Sequence, residues 1–231
     1  MQIHGFQKMT LLDFPGKVAA TVFTGGCNFR CPFCHNALLV EQLDQAPVFD
    51  EGEVLAHLEK KAKLLDGVAI TGGEPLLQKD LPAFLEKLKG FGYPVKLDTN
   101  GSFPERLKEL VKAGLVDYVA VDIKNRPEKY AETVGVKAFD LTPVRETVDF
   151  LLSGPVDYEF RTTVVREFHT ISDIEAASAW IRGAKRYFLQ NFVDSGKLLC
   201  PGLSGVSAEE MEEMAEAARK NVATVALRGV E

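Results

Sequence analysis

Short apolar runs alternate along the chain with longer segments in which apolar residues recur every three or four positions. The runs cover residues 18–23, 68–70, 95–97, 118–123, 158–165 and 187–189, with 222–227 as one further candidate. Their brevity and content of β-branched and aromatic residues predict buried strands. Between them, Val54, Leu58, Ala62 and Leu65 share one helical face, and residues 81–89 predict another helix. Leu107, Leu110 and Val111 lie on a third helix, and Val144, Val148 and Leu151 on a fourth that starts at Pro143. Four capping boxes are predicted, at Asp50 with Glu53, Ser102 with Glu105, Ser172 with Glu175 and Ser207 with Glu210. In each, a side-chain oxygen precedes a carboxylate by three residues, a spacing that satisfies the free amides of a helix start. The last two boxes open a helix running through Trp180 and one carrying Met211, Met214 and Ala218; Gly67 and Gly114 suit helix ends.

Strict β-then-α alternation predicts a parallel sheet with helices outside it. About six such units predict an incomplete parallel (β/α)6 TIM-like barrel, since eight would close one. A doubly wound open sheet is the alternative. No repeat or linker divides the chain, so residues 1–231 are expected to form a single domain. Within it, 1–17 form a lead-in with a turn at 11–16, 18–190 the core, and 191–231 a C-terminal loop, helix and candidate strand. The loop-like stretch 199–206 is expected to border the active site.

Apolar residues make up 46% of the chain, enough for a sizeable core, and the formal charge is −6 with no basic run. That balance argues against nucleic acid or an anionic membrane as a partner. No apolar stretch approaches the roughly 20 residues that span a bilayer. The first ten residues lack the order of a signal peptide, so a cytoplasmic protein is expected. Four cysteines in 231 residues do not make a disulfide scaffold, and clustered ones suggest metal or catalysis.

Three of them, Cys27, Cys31 and Cys34, follow the pair Gly25-Gly26 on one short stretch. Three thiolates so spaced suit three irons of a [4Fe–4S] cube and leave the fourth iron open to a small molecule. A Cys3His zinc site with His35 and a disulfide that strands one thiol are the other readings. The remaining chemistry falls after successive strands, where parallel βα proteins carry their sites: Gly72-Gly73-Glu74-Pro75, then Asp98-Thr99-Asn100, then Asp122-Ile123-Lys124. Glycines allow close backbone approach to a ligand, or simply a tight turn. Asp98, Thr99 and Asp122 offer oxygens for a hard cation or ribose hydroxyls; helix capping and an Asp122–Lys124 ion pair would use them otherwise. Arg161 suits a carboxylate or a rim salt bridge. His169 is a candidate for ligand contact or an ordinary surface or capping residue, Gln190 and Asn191 are further candidates, and Cys200 reads as an ordinary thiol.

The C-x3-C-x2-C spacing, with the aromatic Phe33 before the last cysteine, resembles the radical S-adenosylmethionine (SAM) superfamily. Cys-x3-Cys-x2-Cys-His-Asn, GGEPLLQ, LDTNG and VDIK, in this order, are similar to the glycyl-radical-enzyme activases. The LLDFPG lead-in resembles most the branch that activates anaerobic ribonucleotide reductase; the group also includes the activase of pyruvate formate-lyase. The resemblance covers residues 11–124. It implies a radical SAM core fold and a [4Fe–4S] cluster on Cys27, Cys31 and Cys34, with SAM chelating the open iron. It also implies that Gly72, Gly73 and Glu74 receive the SAM amino group, that Lys124 lies by its carboxylate, and that Asp98, Thr99 and Asp122 hold a monovalent cation. The implied reaction is reductive SAM cleavage to a 5′-deoxyadenosyl radical, which takes a hydrogen atom from a backbone glycine of a partner enzyme. Residues 35–71 contain no cysteine, so electrons are expected from a separate flavodoxin or ferredoxin. A radical SAM enzyme of small-molecule substrates and a non-catalytic iron–sulfur or zinc protein are the competing functions.

Overall fold

The apolar runs pair side by side into one sheet. The computed structural model describes residues 1–194, 196 and 198–230. Its strands are β1 (Ile3–Thr10), β2 (Ala19–Thr24), β3 (Gly67–Gly72), β4 (Val95–Thr99), β5 (Tyr118–Asp122), β6 (Asp157–Val164), β7 (Tyr187–Asn191) and β8 (Val225–Arg228). The helices are α1 (Ala37–Glu41), α2 (Glu51–Lys61), α3 (Leu81–Gly90), α4 (Pro104–Lys112), α5 (Tyr130–Val134), α6 (Thr142–Leu152), α7 (Ile171–Trp180) and α8 (Ala208–Arg219).

The spatial order of the strands is their order in sequence. A doubly wound sheet reverses direction at its switch point, so this order rules that alternative out. Right-handed crossovers that always advance the same way keep the helices on one face and curl the sheet toward a barrel. β1 and β8 stand at opposite ends of the order, so the barrel is incomplete. Strands β2 to β8 are mutually parallel, while β1 pairs antiparallel with β2.

β1 forms within the lead-in, where the apolar pattern predicts no strand. Ile3 is its core anchor, while Gln7, Lys8 and Met9 are exposed. A polar edge strand of this kind carries little hydrophobic signal. Two caps also differ from expectation. α4 begins at Pro104 without a side-chain cap, because Ser102 is engaged elsewhere. α7 is capped by Thr170 and Asp173, two residues before the expected pair. Asp50 accepts from the Glu53 amide at 2.9 Å, and Ser207 and Glu210 form the expected box.

Alternation along the strands separates two layers. Val68, Ile70, Val95, Leu97, Val119, Val121, Tyr158 and Phe160 pack against Leu58, Phe84, Leu85, Leu107, Leu110, Val148 and Leu151 of the helices. The residues between them, including Thr21, Lys96, Asp98, Asp122, Glu159 and Arg161, project to the concave face. Phe14, Ala19 and Tyr118 pack together at the N-terminal end of that face, so the open end lies at the strand C-termini. Among the described residues no helix is long and apolar enough to cross a membrane.

Thr170→Ala is expected to lower the unfolding free energy by about 1 kcal/mol, whereas Ser172→Ala should stay within about 0.5 kcal/mol of the parent. Urea unfolding midpoints compare the two, and equal losses would contradict the capping assignment.

Candidate active site

The two glycines after β3 set the floor of the site. The Gly73 amide donates to the Thr24 carbonyl at 2.9 Å and the Glu74 amide to the Gly26 carbonyl at 2.7 Å. A Cβ on Gly73 would lie 1.9 Å from the Gly26 oxygen, which no real side chain tolerates. Gly72 has φ +118°, and its Cβ would meet Thr24 backbone at 2.4 Å. Glycine is therefore required twice by strand-to-loop contact. The Gly26 amide donates in turn to the Leu39 carbonyl at 2.8 Å, and Asn36 Nδ2 to the Gly72 carbonyl at 2.9 Å. These bonds hold both ends of the cysteine loop against β3.

Cys27, Cys31 and Cys34 are free thiols on that loop. Burial pushes the Cys27 thiol up to about 11 and the Cys31 thiol up to about 12, and raises that of Cys34 as well. The Lys124 ammonium opposes the rise at all three. Bare thiolates are thus disfavoured there, and bound iron would supply the positive charge that stabilises them. The three cysteines line a cavity of about 310 Å³ together with Phe33, Gly72, Gly73, Asp98, Thr99, Asp122, Lys124, Arg161 and Gln190. The expected residues therefore converge, with two exceptions. Cys200 is exposed and outside the cavity lining, so no fourth thiolate faces the cavity among the described residues. Among the described residues no group of three or more His, Cys, Asp or Glu gathers as a single metal ion would need.

The exceptions are Glu74 and His169. Glu74 is fully buried and accepts from the Leu76 amide (3.0 Å), the Thr99 hydroxyl (2.8 Å) and the Asn100 amide (2.7 Å). It ties the end of β3 to the end of β4 and does not line the cavity; the backbone of the glycines does. Burial outweighs those three bonds and raises its carboxyl to about 7. His169 is buried, with Nδ1 accepting from the Val165 amide at 3.1 Å. Its Nε2, 2.8 Å from the Lys124 carbonyl, is then the donor. It braces the Lys124 segment from behind Phe33 and lies outside the cavity lining.

Asp98 and Asp122, two of the residues expected at a monovalent cation, are ion-paired within the chain. Arg161 Nε pairs with Asp122 at 2.9 Å and Nη1 with Asp98 at 3.1 Å. Lys124 pairs with Asp122 at 3.0 Å, and Lys96 pairs with Asp98. Burial alone would raise both carboxyls, but Arg161 with Lys124 at Asp122, and Arg161 with Lys96 at Asp98, hold both below the usual carboxylate range. Burial would likewise lower Lys124 and Arg161, and the carboxylates raise both instead.

Lys96 reads in the sequence as an ordinary strand residue, and its place two residues before Asp98 on the same face is the signal that it belongs to the site. Asn100, in the expected segment after β4, works with Asn28, which the sequence does not single out. Asn100 Nδ2 donates to Asn28 Oδ1 at 2.8 Å, and Asn28 Nδ2 to Ser102 Oγ at 2.9 Å, tying the β4 loop to the cysteine loop. His35 and Asn36 of the Cys-His-Asn segment line the cavity, as does Thr163, which no motif marks. Asn191 instead clips the 199–206 stretch through two bonds to Val206, at 2.9 and 3.0 Å.

Two outcomes are expected. Replacing any one of Cys27, Cys31 or Cys34 by Ala should abolish stable uptake of about four irons per chain on anaerobic reconstitution, while Cys200→Ala should leave it intact; iron and sulfide analysis checks this. For Glu74, a folded carboxyl raised from 4.5 to about 7 keeps its full contribution below pH 4.5 and loses it as pH climbs to 7. The iron-free protein should therefore lose on the order of 3 kcal/mol of stability across that window. Denaturant titrations of wild type against Glu74→Gln check it, since the variant should show a flatter profile.

A family model, the radical SAM superfamily, matches residues 21–218. A Methanocaldococcus jannaschii protein provisionally named a glycyl-radical enzyme activating enzyme is 32% identical over 234 residues, 99% of this chain and 96% of its own. The pyruvate formate-lyase-activating enzyme of Listeria monocytogenes is 33% identical over 143 residues, 56% of each chain. Among solved structures, Streptococcus suis SuiB bound to the precursor peptide SuiA superposes with a TM-score of 0.72 at 12% identity, over 90% of this chain and 48% of SuiB. This chain thus spans about half of SuiB, and the likeness concerns the fold. The family implies a [4Fe–4S] cluster and SAM. The residues present fit both: three unpaired thiols, one positively charged neighbour common to them, and an adjoining cavity with basic groups and glycine backbone. The chain belongs to the radical SAM superfamily and is an enzyme of that superfamily.

Proposed function

We propose that this enzyme is a glycyl-radical-enzyme activase, acting in the anaerobic cytoplasm on a protein partner such as anaerobic ribonucleotide reductase. The observation that carries the reading is the 32% identity to the activase-named relative across 99% of this chain. The LDTNG and VDIK segments add to it, because both end at the cavity.

When bound, the cluster and SAM supply reductive cleavage of the sulfonium and a hydrogen-abstracting radical. The chain's own residues have four tasks. Cys27, Cys31 and Cys34 would hold the cluster. The backbone of Gly72 and Gly73 would approach the ligand's amino end, and Lys124 and Arg161 would present positive charge to its carboxylate. Phe33 and Val40 give the cavity apolar wall, which excludes water from a reactive species. Electrons would come from a separate flavodoxin or ferredoxin, since residues 35–71 carry no cysteine for a second cluster.

Phe192, Val193 and Cys200 pack against the cysteine loop, past which a glycine loop would have to enter. His35 stacks on Phe192 with ring centroids 5.3 Å apart, and its Nε2 lies 3.0 Å from the Val193 carbonyl. The Cys200 amide donates to the Pro32 carbonyl at 3.0 Å. The test is electron paramagnetic resonance of the reconstituted, reduced enzyme with SAM and a candidate glycyl radical enzyme. A glycyl doublet on the partner is expected, lost when the partner's glycine is changed to Ala. SAM cleavage without a radical on any candidate partner would favour a small-molecule substrate instead.

A further inference from the structure

The row of charge on the concave face has a composition of its own. Asp98 gives one oxygen to Lys96 and the other to Arg161, while Asp122 gives one to Arg161 and the other to Lys124. Three side-chain cations thus share two carboxylates. Thr99 is committed as well, because its hydroxyl donates to Glu74 at 2.8 Å and accepts from the Gly101 amide at 3.1 Å. The three residues that the family resemblance assigns to a monovalent cation therefore have their oxygens engaged within the chain.

We propose that the Lys96 ammonium is a built-in cation of this site, and that the enzyme binds SAM without a monovalent metal ion. Lys96 lies inside β4, flanked in register by Ala69 of β3 and Tyr118 of β5. It is 1% exposed, so water cannot solvate its ammonium if a metal ion displaces it. A metal ion entering beside it would instead be a fourth cation against two carboxylates, repelled at short range in a partly desolvated site. The arrangement as it stands carries a net charge of +1, and two of its cations, those of Lys124 and Arg161, line the cavity. That is a fitting receptor for the carboxylate of SAM. Lys96 is absent from the cavity lining, so it acts as a positioning residue: it holds Asp98, which holds Arg161.

The proposal requires family membership but not the activase reading, and its test contains no partner protein. The first readout uses iron-free enzyme. Thermal midpoints are compared in choline, sodium and potassium chloride at equal ionic strength. Wild type should give one value in all three, whereas Lys96→Met, which vacates one Asp98 oxygen, should be rescued saturably by potassium or sodium over choline. The second readout is SAM affinity of the reconstituted holoenzyme by equilibrium dialysis. Wild type should differ by less than about twofold between choline and potassium, and Lys96→Met should weaken by roughly tenfold in choline with recovery in potassium. Lys96→Gln repeats both measurements with a polar side chain if the Met variant fails to fold. A saturable metal-ion dependence in wild type would overturn the proposal. So would a folded Lys96 variant that responds to no metal ion.

Discussion

The carbonyls of Thr24 and Gly26 accept from the amides of Gly73 and Glu74, in a gap where even a methyl group does not fit. The rest of the site depends on that contact. It fixes where the cysteine loop leaves β2, since the Gly26 amide is tied to Leu39 on the loop's far side. It also sets the height of the glycine backbone against the cavity. From there Glu74 carries the constraint to β4 by gathering Thr99 and Asn100, and Asn100 returns it to the cysteine loop through Asn28. Thiols, glycines and β4 loop are thus bound in one closed circuit of hydrogen bonds.

Electrostatics extends the circuit to the remaining strands. Arg161 on β6 bridges Asp98 on β4 and Asp122 on β5, with Lys96 and Lys124 at the two ends. Buried charges of one sign are costly unless paired, and here each carboxylate is met by two cations. The surplus positive charge faces the cavity, and Lys124 also lies close enough to act on all three thiols. One lysine therefore serves both the metal-binding wall and the ligand-binding wall.

Much of this was legible in the sequence because it rests on local rules. The Asp50 cap, the Ser207–Glu210 box, the βα alternation and the convergence of motifs at strand ends all follow from spacing. What escaped depends on tertiary choice. Ser102 has the spacing of a cap, yet its hydroxyl is claimed by Asn100 and Asn28 across the loop. Ser172 and Glu175 have the same spacing as Thr170 and Asp173, and the helix starts at the latter pair. β1 shows few apolar residues because its outer edge faces water. Glu74 and His169 have the right type for ligand contact, and only the packing turns them inward. Lys96 in a strand reads as noise until Asp98 and Arg161 are seen beside it.

The account stands on one chemical capacity of the assembled site: holding a reducible cluster and SAM close enough to react. The most direct measurement is anaerobic reconstitution with iron and sulfide, reduction with dithionite, addition of SAM, and quantification of 5′-deoxyadenosine and methionine by chromatography. The account predicts that both products form in equal amounts, in proportion to the enzyme's cluster content. A fully loaded, reduced enzyme that binds SAM and yields no 5′-deoxyadenosine above a protein-free control would contradict it.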